Sequence, residues 1–435
     1  MKTSHPKGLY FLFTIEMWER FSYYGMRALL MLYMTKFLLF STVKAGNIYG
    51  FYTGLVYATP LIGGYLADRY LGQRKCIFIG SILMALGQFA LAVPVLPIFY
   101  MALGLLIIGN GFFKPNISSI VGQLYDKDDP RKDGGFTIFY MGINLGAFFA
   151  PFICGTLGEK FSYSYGFIAA GVGMLIGLSI FLWGNKKFLA HHGMAPVHCS
   201  DAKEEYCDTD VVNLDKPITK EEWQRIAVIF ILVFFSIFFW SAFEQAGSSL
   251  TLFADHSTNR MIPFLHKEFP ASYFQAVNPM FIFILAPLFS MLWTNLADKN
   301  KAPSIPAKFA AGLGFVSLSF LLMIVASGFN HNGIKVSFFW LIGVYFLQTV
   351  GELCLSPVGL SMVTKLSPAK FTSLLMGTWF LASFAANLLA GSFAGHYDTM
   401  NHNLFFMVPI LTTGISAIIL AFLVKPLKKW MHGIK

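Results

Sequence analysis

The chain has 435 residues, of which 56% are apolar and only 12% charged, with a net charge of +10, whereas soluble domains carry about 25% charged residues. That composition excludes an ordinary soluble domain and indicates an integral membrane protein. The positive charge lies mostly in loops and tail, where it sets orientation and attracts anionic lipid, so no nucleic-acid partner is inferred from it.

Apolar stretches long enough to cross a hydrocarbon core of about 30 Å predict twelve helices, over 9–39, 46–67, 75–93, 97–122, 136–158, 164–184, 226–253, 272–297, 306–328, 335–363, 371–395 and 403–424. The runs are continuous, not alternating, which argues against a membrane β-barrel. An even number places both termini on one side, where twenty-three of the 32 Lys and Arg then fall; six lie opposite, Lys36, Lys44, Lys160, Arg260, Lys267 and Lys335. Both termini are therefore expected in the cytoplasm, with the chain a multi-pass protein of the cell (inner) membrane. The opening MKTSHPKG has no small-residue cleavage site, so no removable signal peptide is expected.

The first span carries Glu16, Glu19 and Arg20 within one helical turn, then Tyr23, Tyr24 and Arg27. Spacings of three and four put both acids and a base on one face. Lipid cannot satisfy such a face, so it is expected to line a wet cavity. The second span ends in LADR, Leu66 to Arg69, and the fourth carries Lys114 before Pro115. Residues 185–224 are polar and read as a linker. Within it Cys199 and Cys207, with His198, lack the spacing of a zinc site, and no metal or cofactor is expected. The basic tail KPLKKWMHGIK reads as a solvated anchor. In the second half Glu244 lies in the seventh span, LADK (Leu296 to Lys299) ends the eighth, and Glu352 and Ser356-Pro357 lie in the tenth.

A charge at mid-bilayer depth costs roughly 2.5 to 3.5 kcal/mol, so the intramembrane set Glu16, Glu19, Arg20, Arg27, Lys114, Glu244 and Glu352 marks a functional site by default. Fully ionised, the set carries one excess negative charge, and protonating one carboxylate neutralises it. The alternative is that these groups only join helices to one another. LADR and LADK recur at an offset of 230 residues, and Lys114-Pro115 and Ser356-Pro357 at 242. Six spans either side of a linker, with such echoes, fit the all-α major-facilitator plan of two six-helix bundles: 1–184, the linker 185–224, and 225–435 with its basic tail. Asp68 with Arg69, and Asp298 with Lys299, are then expected as cytoplasmic latches acting on the inner gate. Pro60, Pro115, Pro151, Pro287 and Pro357 permit kinks within spans.

The run EMWERFSYYGMR from Glu16 to Arg27 resembles the ExxER signature of the proton-dependent oligopeptide transporter family. GGYLADRYLGQRK, GFFKPNISSIVGQLYD, FYMGINLGAFFAP, WSAFEQAGSSLTLFA and GELCLSPVGLS match further family segments in order across both halves. The resemblance implies a proton-coupled symporter importing di- and tripeptides by alternating access, with peptides and protons as partners beside membrane lipid, and a chain expected to function as a monomer. It implies that Glu16, Glu19, Arg20, Lys114 and Glu244 couple protons. Arg20 and Lys114 would hold the peptide carboxylate, and Glu352 with Asn144 and Asn278 the ammonium. Tyr23, Tyr24, Arg27, Tyr57, Trp240, Ser356 and Trp379 would line the site, and Arg27 with Glu244 would form the outer gate.

The chain departs from the family in three places. The linker is too polar for the two extra helices of many bacterial members, Gly50 stands where animal members carry a coupling histidine, and Phe243 stands where some carry a first acid before Glu244. Two alternatives keep their place: the same fold carrying nitrate, an amino acid or a peptide-like drug, and, remotely, a membrane-embedded metal-dependent transferase using the DKDD loop at Asp126 to Asp129. A nutrient sensor would carry a large soluble domain or long tail, which this chain lacks.

Overall fold

The computed structural model describes residues 4–126, 129, 131–190, 192–194, 218–262, 266–329, 334–368 and 371–434. His198, Cys199, Cys207, most of the linker and two residues of the DKDD loop lie outside them. The described residues form twelve long helices. In chain order these are α1 (Lys7–Leu32), α2 (Thr42–Leu66), α3 (Gln73–Leu91), α4 (Leu96–Gln123), α5 (Lys132–Ala150) and α6 (Tyr163–Phe188). They continue with α7 (Lys220–Phe243), α8 (Val277–Asp298), α9 (Ile305–Phe329), α10 (Phe339–Leu366), α11 (Thr372–Ala394) and α12 (His402–Trp430). The fold is the all-α, major-facilitator type of membrane protein.

By length and composition ten of the helical segments can cross a membrane. The other two are α1, which carries Glu16, Glu19, Arg20 and Arg27, and α2, which is rich in Gly, Tyr and Thr. In α1 the lower hydropathy comes from a charged face that is buried; in α2 it comes from the Gly, Tyr and Thr content itself. α12 also extends past its expected span through the basic tail to Trp430, with Lys428 and Lys429 in its last turn, where cations complement the carbonyl end of the helix dipole.

Several helices change pitch. α1 and α2 end in π turns, Tyr33–Phe37 and Ala67–Leu71, and α5 passes through a π turn, Pro151–Gly155, into Thr156–Lys160. Pro151 lacks the N–H that an α-turn would use. α7 starts on a capping box, Thr219 with Glu222, runs into a 3-10 turn at Glu244–Gly247, and resumes at Ser249–His256. Pro60, Pro115 and Pro287 lie inside α2, α4 and α8.

Two compact units account for the chain. One comprises Met1–Phe40, Leu55–His198 and Arg260–Phe283; the other comprises Ser41–Gly54, Cys199–Asn259 and Ile284–Lys435. Each unit thus includes a piece from the other half of the sequence: the start of α2 clusters with the second, and the segment leading into α8 with the first.

In the first unit Tyr33, Phe99 and Phe167 are buried, with Tyr33 edge-on to Phe167 at 5.0 Å. Between membrane helices lipid supplies no hydrophobic drive, so close packing must hold them. Gly63 is one place where this closeness is absolute: a Cβ there would stand 2.5 Å from the Gly111 carbonyl carbon of α4. The unit also holds a short antiparallel pair, β2 (Met261–Ile262) with β3 (Lys267–Glu268). In the second unit Phe253, Phe320, Phe405 and Phe406 form an aromatic core, and β1 (Thr258–Asn259) pairs in parallel with β4 (Val336–Ser337). Gly50 of α2 lies directly on α11, where a Cβ would stand 2.9 Å from the Asn387 carbonyl. Any side chain longer than hydrogen at residue 50, including an imidazole, would push these helices apart.

Candidate functional site

α1 supplies the densest charge cluster. Glu16, Glu19 and Arg20 are 2%, 0% and 3% exposed. Arg20 turns one edge of its guanidinium to Glu19: Nε donates to Oε2, and Nη2 donates to Oε1 at 2.7 Å. From α4, Asn110 donates its amide to the same Oε1 at 3.5 Å. Glu16 is held more loosely. Its Oε1 stands 3.4 Å from Arg20 Nε, and its Oε2 has no hydrogen-bond partner among the described residues. Two carboxylates therefore compete for one guanidinium edge, and Glu19 occupies it.

The remaining first-unit residues surround this cluster with rings and cations. Arg20 lies 5.1 Å from the Tyr23 ring centroid, Arg27 6.0 Å from that of Tyr24, and Lys114 4.7 Å from that of Tyr57. These are cation–π distances, at which an aromatic face replaces part of a lost hydration shell. Lys114 also lies within electrostatic range of Glu16. Asn144, on α5, donates Nδ2 to the Tyr140 carbonyl of its own helix at 3.0 Å. Asn278 is half-buried at the start of α8.

In the second unit, Glu244 is 4% exposed where α7 tightens to a 3-10 turn. The next residue, Gln245, fixes that turn: Nε2 donates to the Ala390 carbonyl of α11 at 3.1 Å, while Ser249 donates to Oε1 at 2.6 Å. One turn earlier, Trp240 has no partner for its indole N–H among the described residues. Glu352 is buried on α10 and Ser356 half-buried one turn on. Trp379 of α11 packs on Gly359 of α10, so closely that a Cβ on that glycine would meet the ring.

The residues expected as latches lie at the surface. Asp68, Arg69, Asp298 and Lys299 are exposed. Arg69 donates Nη1 to the Tyr65 hydroxyl at 2.7 Å and lies 5.7 Å from the Tyr70 ring. In the DKDD loop, Asp129 accepts from the Arg131 side chain at 3.0 and 2.6 Å and from its backbone N–H at 2.9 Å. Those bonds hold its carboxyl at about 2, well below the usual carboxylate value. Arg131 in turn donates to the Ser4 carbonyl at 2.6 Å, so this acid braces the chain ahead of α1.

Counting only ionisable groups inside apolar spans overlooks several residues. Asn110 was overlooked because it is uncharged, although an amide in the apolar run LIIGNGFF is a polar group needing a reason. Glu159 was overlooked because it lies one residue past its expected span. Its carboxylate accepts from the backbone N–H groups of Ala271 and Ser272, both at 2.8 Å, with Arg260 Nη1 at 3.8 Å. Around it Lys160 donates to the Glu268 carbonyl at 2.6 Å, and Thr156 bonds the Tyr273 hydroxyl at 2.7 Å. Thr156, Glu159 and Lys160, just past α5, thus grip the segment leading into α8.

Known proteins resemble this chain over nearly its whole length. A family model described as the POT family matches residues 74–196 and 208–408. The chain is 38% identical to the uncharacterized transporter YclF of Bacillus subtilis (strain 168), over 99% of this chain and 96% of that one. It is 33% identical to a di-/tripeptide transporter of Lactococcus lactis subsp. cremoris, over 99% and 97%. Among solved structures, a mutant of the peptide transporter POT in complex with alafosfalin superposes with a TM-score of 0.88, at 35% identity, covering 100% of this chain and 97% of that one.

Proposed function

This chain belongs to the POT family, whose members are transporters and not enzymes, and from that premise we propose that it carries di- and tripeptides across a membrane together with protons, by alternating access. The observation that carries the reading is the α1 cluster, in which one carboxylate is bonded by Arg20 and Asn110 while Glu16 has an oxygen without a hydrogen-bond partner among the described residues.

The coupling follows from counting charge among Glu16, Glu19, Arg20 and Lys114, with Arg27 set apart because it is assigned with Glu244 to the outer gate. With Glu16, Glu19, Arg20 and Lys114 all ionised, the group is neutral. A peptide carboxylate held by Arg20 and Lys114 adds one negative charge to a buried site, where an uncompensated ion costs several kcal/mol. A proton on Glu16 restores neutrality. Peptide and proton therefore bind better together than apart, which is the thermodynamic content of symport. Arg20 offers a planar fork and Lys114 a mobile point charge, a pairing suited to a carboxylate that arrives in more than one pose.

Glu352, with Asn144 and Asn278, is assigned to the peptide ammonium, and Tyr23, Tyr24, Tyr57, Trp240, Ser356 and Trp379 to the walls, following the family resemblance. Arg27 and Glu244 are assigned to the outer gate, with protonation of Glu244 removing the anion that gating requires. Asp68, Arg69, Asp298 and Lys299 are assigned to the inner gate. The chain is a multi-pass membrane protein; we place both termini in the cytoplasm and take the single chain as the working unit.

The test is uptake of labelled dialanine into liposomes holding the purified protein, with an inward proton gradient. The proposal predicts accumulation above equilibrium that collapses with a protonophore. No accumulation by folded protein would contradict it.

A further inference from the structure

We propose that a groove between the start of α1 and the end of α6 is a specific site for one anionic phospholipid, with the headgroup on Lys7 and Lys187 and an acyl chain along the aromatic walls. The groove has a volume of about 430 Å³ and is lined by Lys7, Tyr10, Phe11, Thr14, Trp183 and Phe188, among others. Its floor exists because the two helices nearly touch. A Cβ on Gly8 would stand 2.9 Å from the Phe188 carbonyl oxygen, and one on Gly184 would run into the Phe11 ring. Side chains flanking the contact then splay apart into walls: Phe11 and Phe188 meet at 5.3 Å, and Trp183 and Phe188 at 5.8 Å.

The rim is cationic and has no acid among its lining residues. Lys187 Nζ stands 5.5 Å from the Trp183 ring and 5.4 Å from that of Phe188, two of the rings that line the groove, so its ammonium lies beside the aromatic wall. Lys7 lines the same groove, with Lys186 exposed beside Lys187. The first turn of α1 contains no acid, and its N-cap, Pro6, supplies no side-chain cap. The positive end of that helix dipole therefore adds to the rim with no acid in its own first turn to offset it. The start of α1 is also anchored, by the Arg131 bond to the Ser4 carbonyl and by His5 with the Tyr125 hydroxyl at 2.8 Å. Lys7 follows directly on this anchored turn.

Position selects a lipid over a soluble anion. Trp183 and Tyr10 are 70% and 52% exposed, as aromatic residues are in the headgroup belt of a membrane. Lysines there extend their ammonium groups to the phosphate level. Both helix ends lie on the terminus side, which carries the excess of Lys and Arg and so faces the more anionic leaflet. A second groove on the same unit serves as an internal comparison. Its volume is about 380 Å³, and Trp18, Phe21, Ile153, Leu157 and Ile168 line it with no charged residue. That groove offers an acyl chain contact area but offers a headgroup nothing.

The experiment uses the full chain in nanodiscs of phosphatidylcholine doped with phosphatidylglycerol, with lipid retention read by native mass spectrometry. Each ammonium near the surface is expected to favour the anionic lipid about fivefold (about 1 kcal/mol). Wild type should therefore retain one phosphatidylglycerol in preference to phosphatidylcholine, and the Lys7→Gln, Lys187→Gln double variant should lose that preference by about tenfold or more. Brominated phosphatidylglycerol should quench the emission lost in Trp183→Phe more strongly than brominated phosphatidylcholine does, while the emission lost in Trp18→Phe should be quenched equally by both. Equal retention of the two lipids, an unchanged double variant, or displacement of the lipid by millimolar inorganic phosphate would overturn the proposal. All three readouts are independent of transport, so they stand or fall apart from the peptide reading.

Discussion

At the scale of single residues, the two helix-one carboxylates have different surroundings and so different work. Glu19 is bound by both Arg20 and Asn110, whereas Glu16 has one oxygen without a hydrogen-bond partner among the described residues. Glu16→Gln should therefore abolish accumulation driven by a proton gradient but preserve peptide counterflow, which needs no net proton movement. Glu19→Gln should impair both, because it loosens the guanidinium that receives the peptide. Equal loss of counterflow in the two variants would show that the carboxylates act as a unit. Asn110→Leu removes a donor from Glu19 and should weaken peptide affinity without eliminating proton dependence, a result visible as a raised KM with pH profile retained. The sequence revealed the acids and the arginine, since charge in an apolar run is conspicuous. It could not rank them, because ranking depends on a helix-four amide ninety-one positions from Glu19.

At the scale of elements, the junctions between helices carry the specific chemistry. Glu159 satisfies two N–H groups at the approach to α8, and a charge-assisted bond of this kind is among the stronger ones. Glu159→Ala should speed hydrogen exchange at the amides of Ala271 and Ser272 by at least about tenfold (about 1.4 kcal/mol), with Glu159→Asp intermediate; unchanged exchange would mean the cap is idle. The Asp129 brace has a definite pH window. Its folded value lies near 2 and its ordinary value is 3.8. A lowered carboxylate stabilises fully above the ordinary value and loses its contribution as pH falls through the folded one. Asp129→Asn should therefore behave as wild type does once acidified below that window, with Arg131 released from Ser4 as judged by exchange at the start of α1. Neither brace was legible in advance, because both join residues to backbone groups, and backbone partners leave no mark in side-chain patterning.

At the scale of the whole molecule, hydropathy located all twelve helices, and their number survives even where composition weakens, in α1 and α2. α1 gives up apolar character to its buried charges, and α2 to its Gly, Tyr and Thr residues. Helix closeness is the complementary constraint. Gly63→Val must force α2 from α4 and should destabilise by about 1 to 3 kcal/mol, lowering the thermal midpoint in detergent. Gly104→Ala, on the same α4 but with nothing within 4 Å of the added carbon, should leave it unchanged. Equal effects would show that packing in this bundle is looser than the geometry indicates.

Peptide carboxylate and proton are proposed to enter as a neutral pair, the proton through Glu16. The direct measurement is proton uptake on binding, by calorimetry of dialanine in buffers of differing ionisation enthalpy. Wild type should take up a proton with dialanine, and lose that uptake with dialaninamide or in Glu16→Gln. Dialanine binding without proton uptake, or uptake undiminished in Glu16→Gln, would contradict the account.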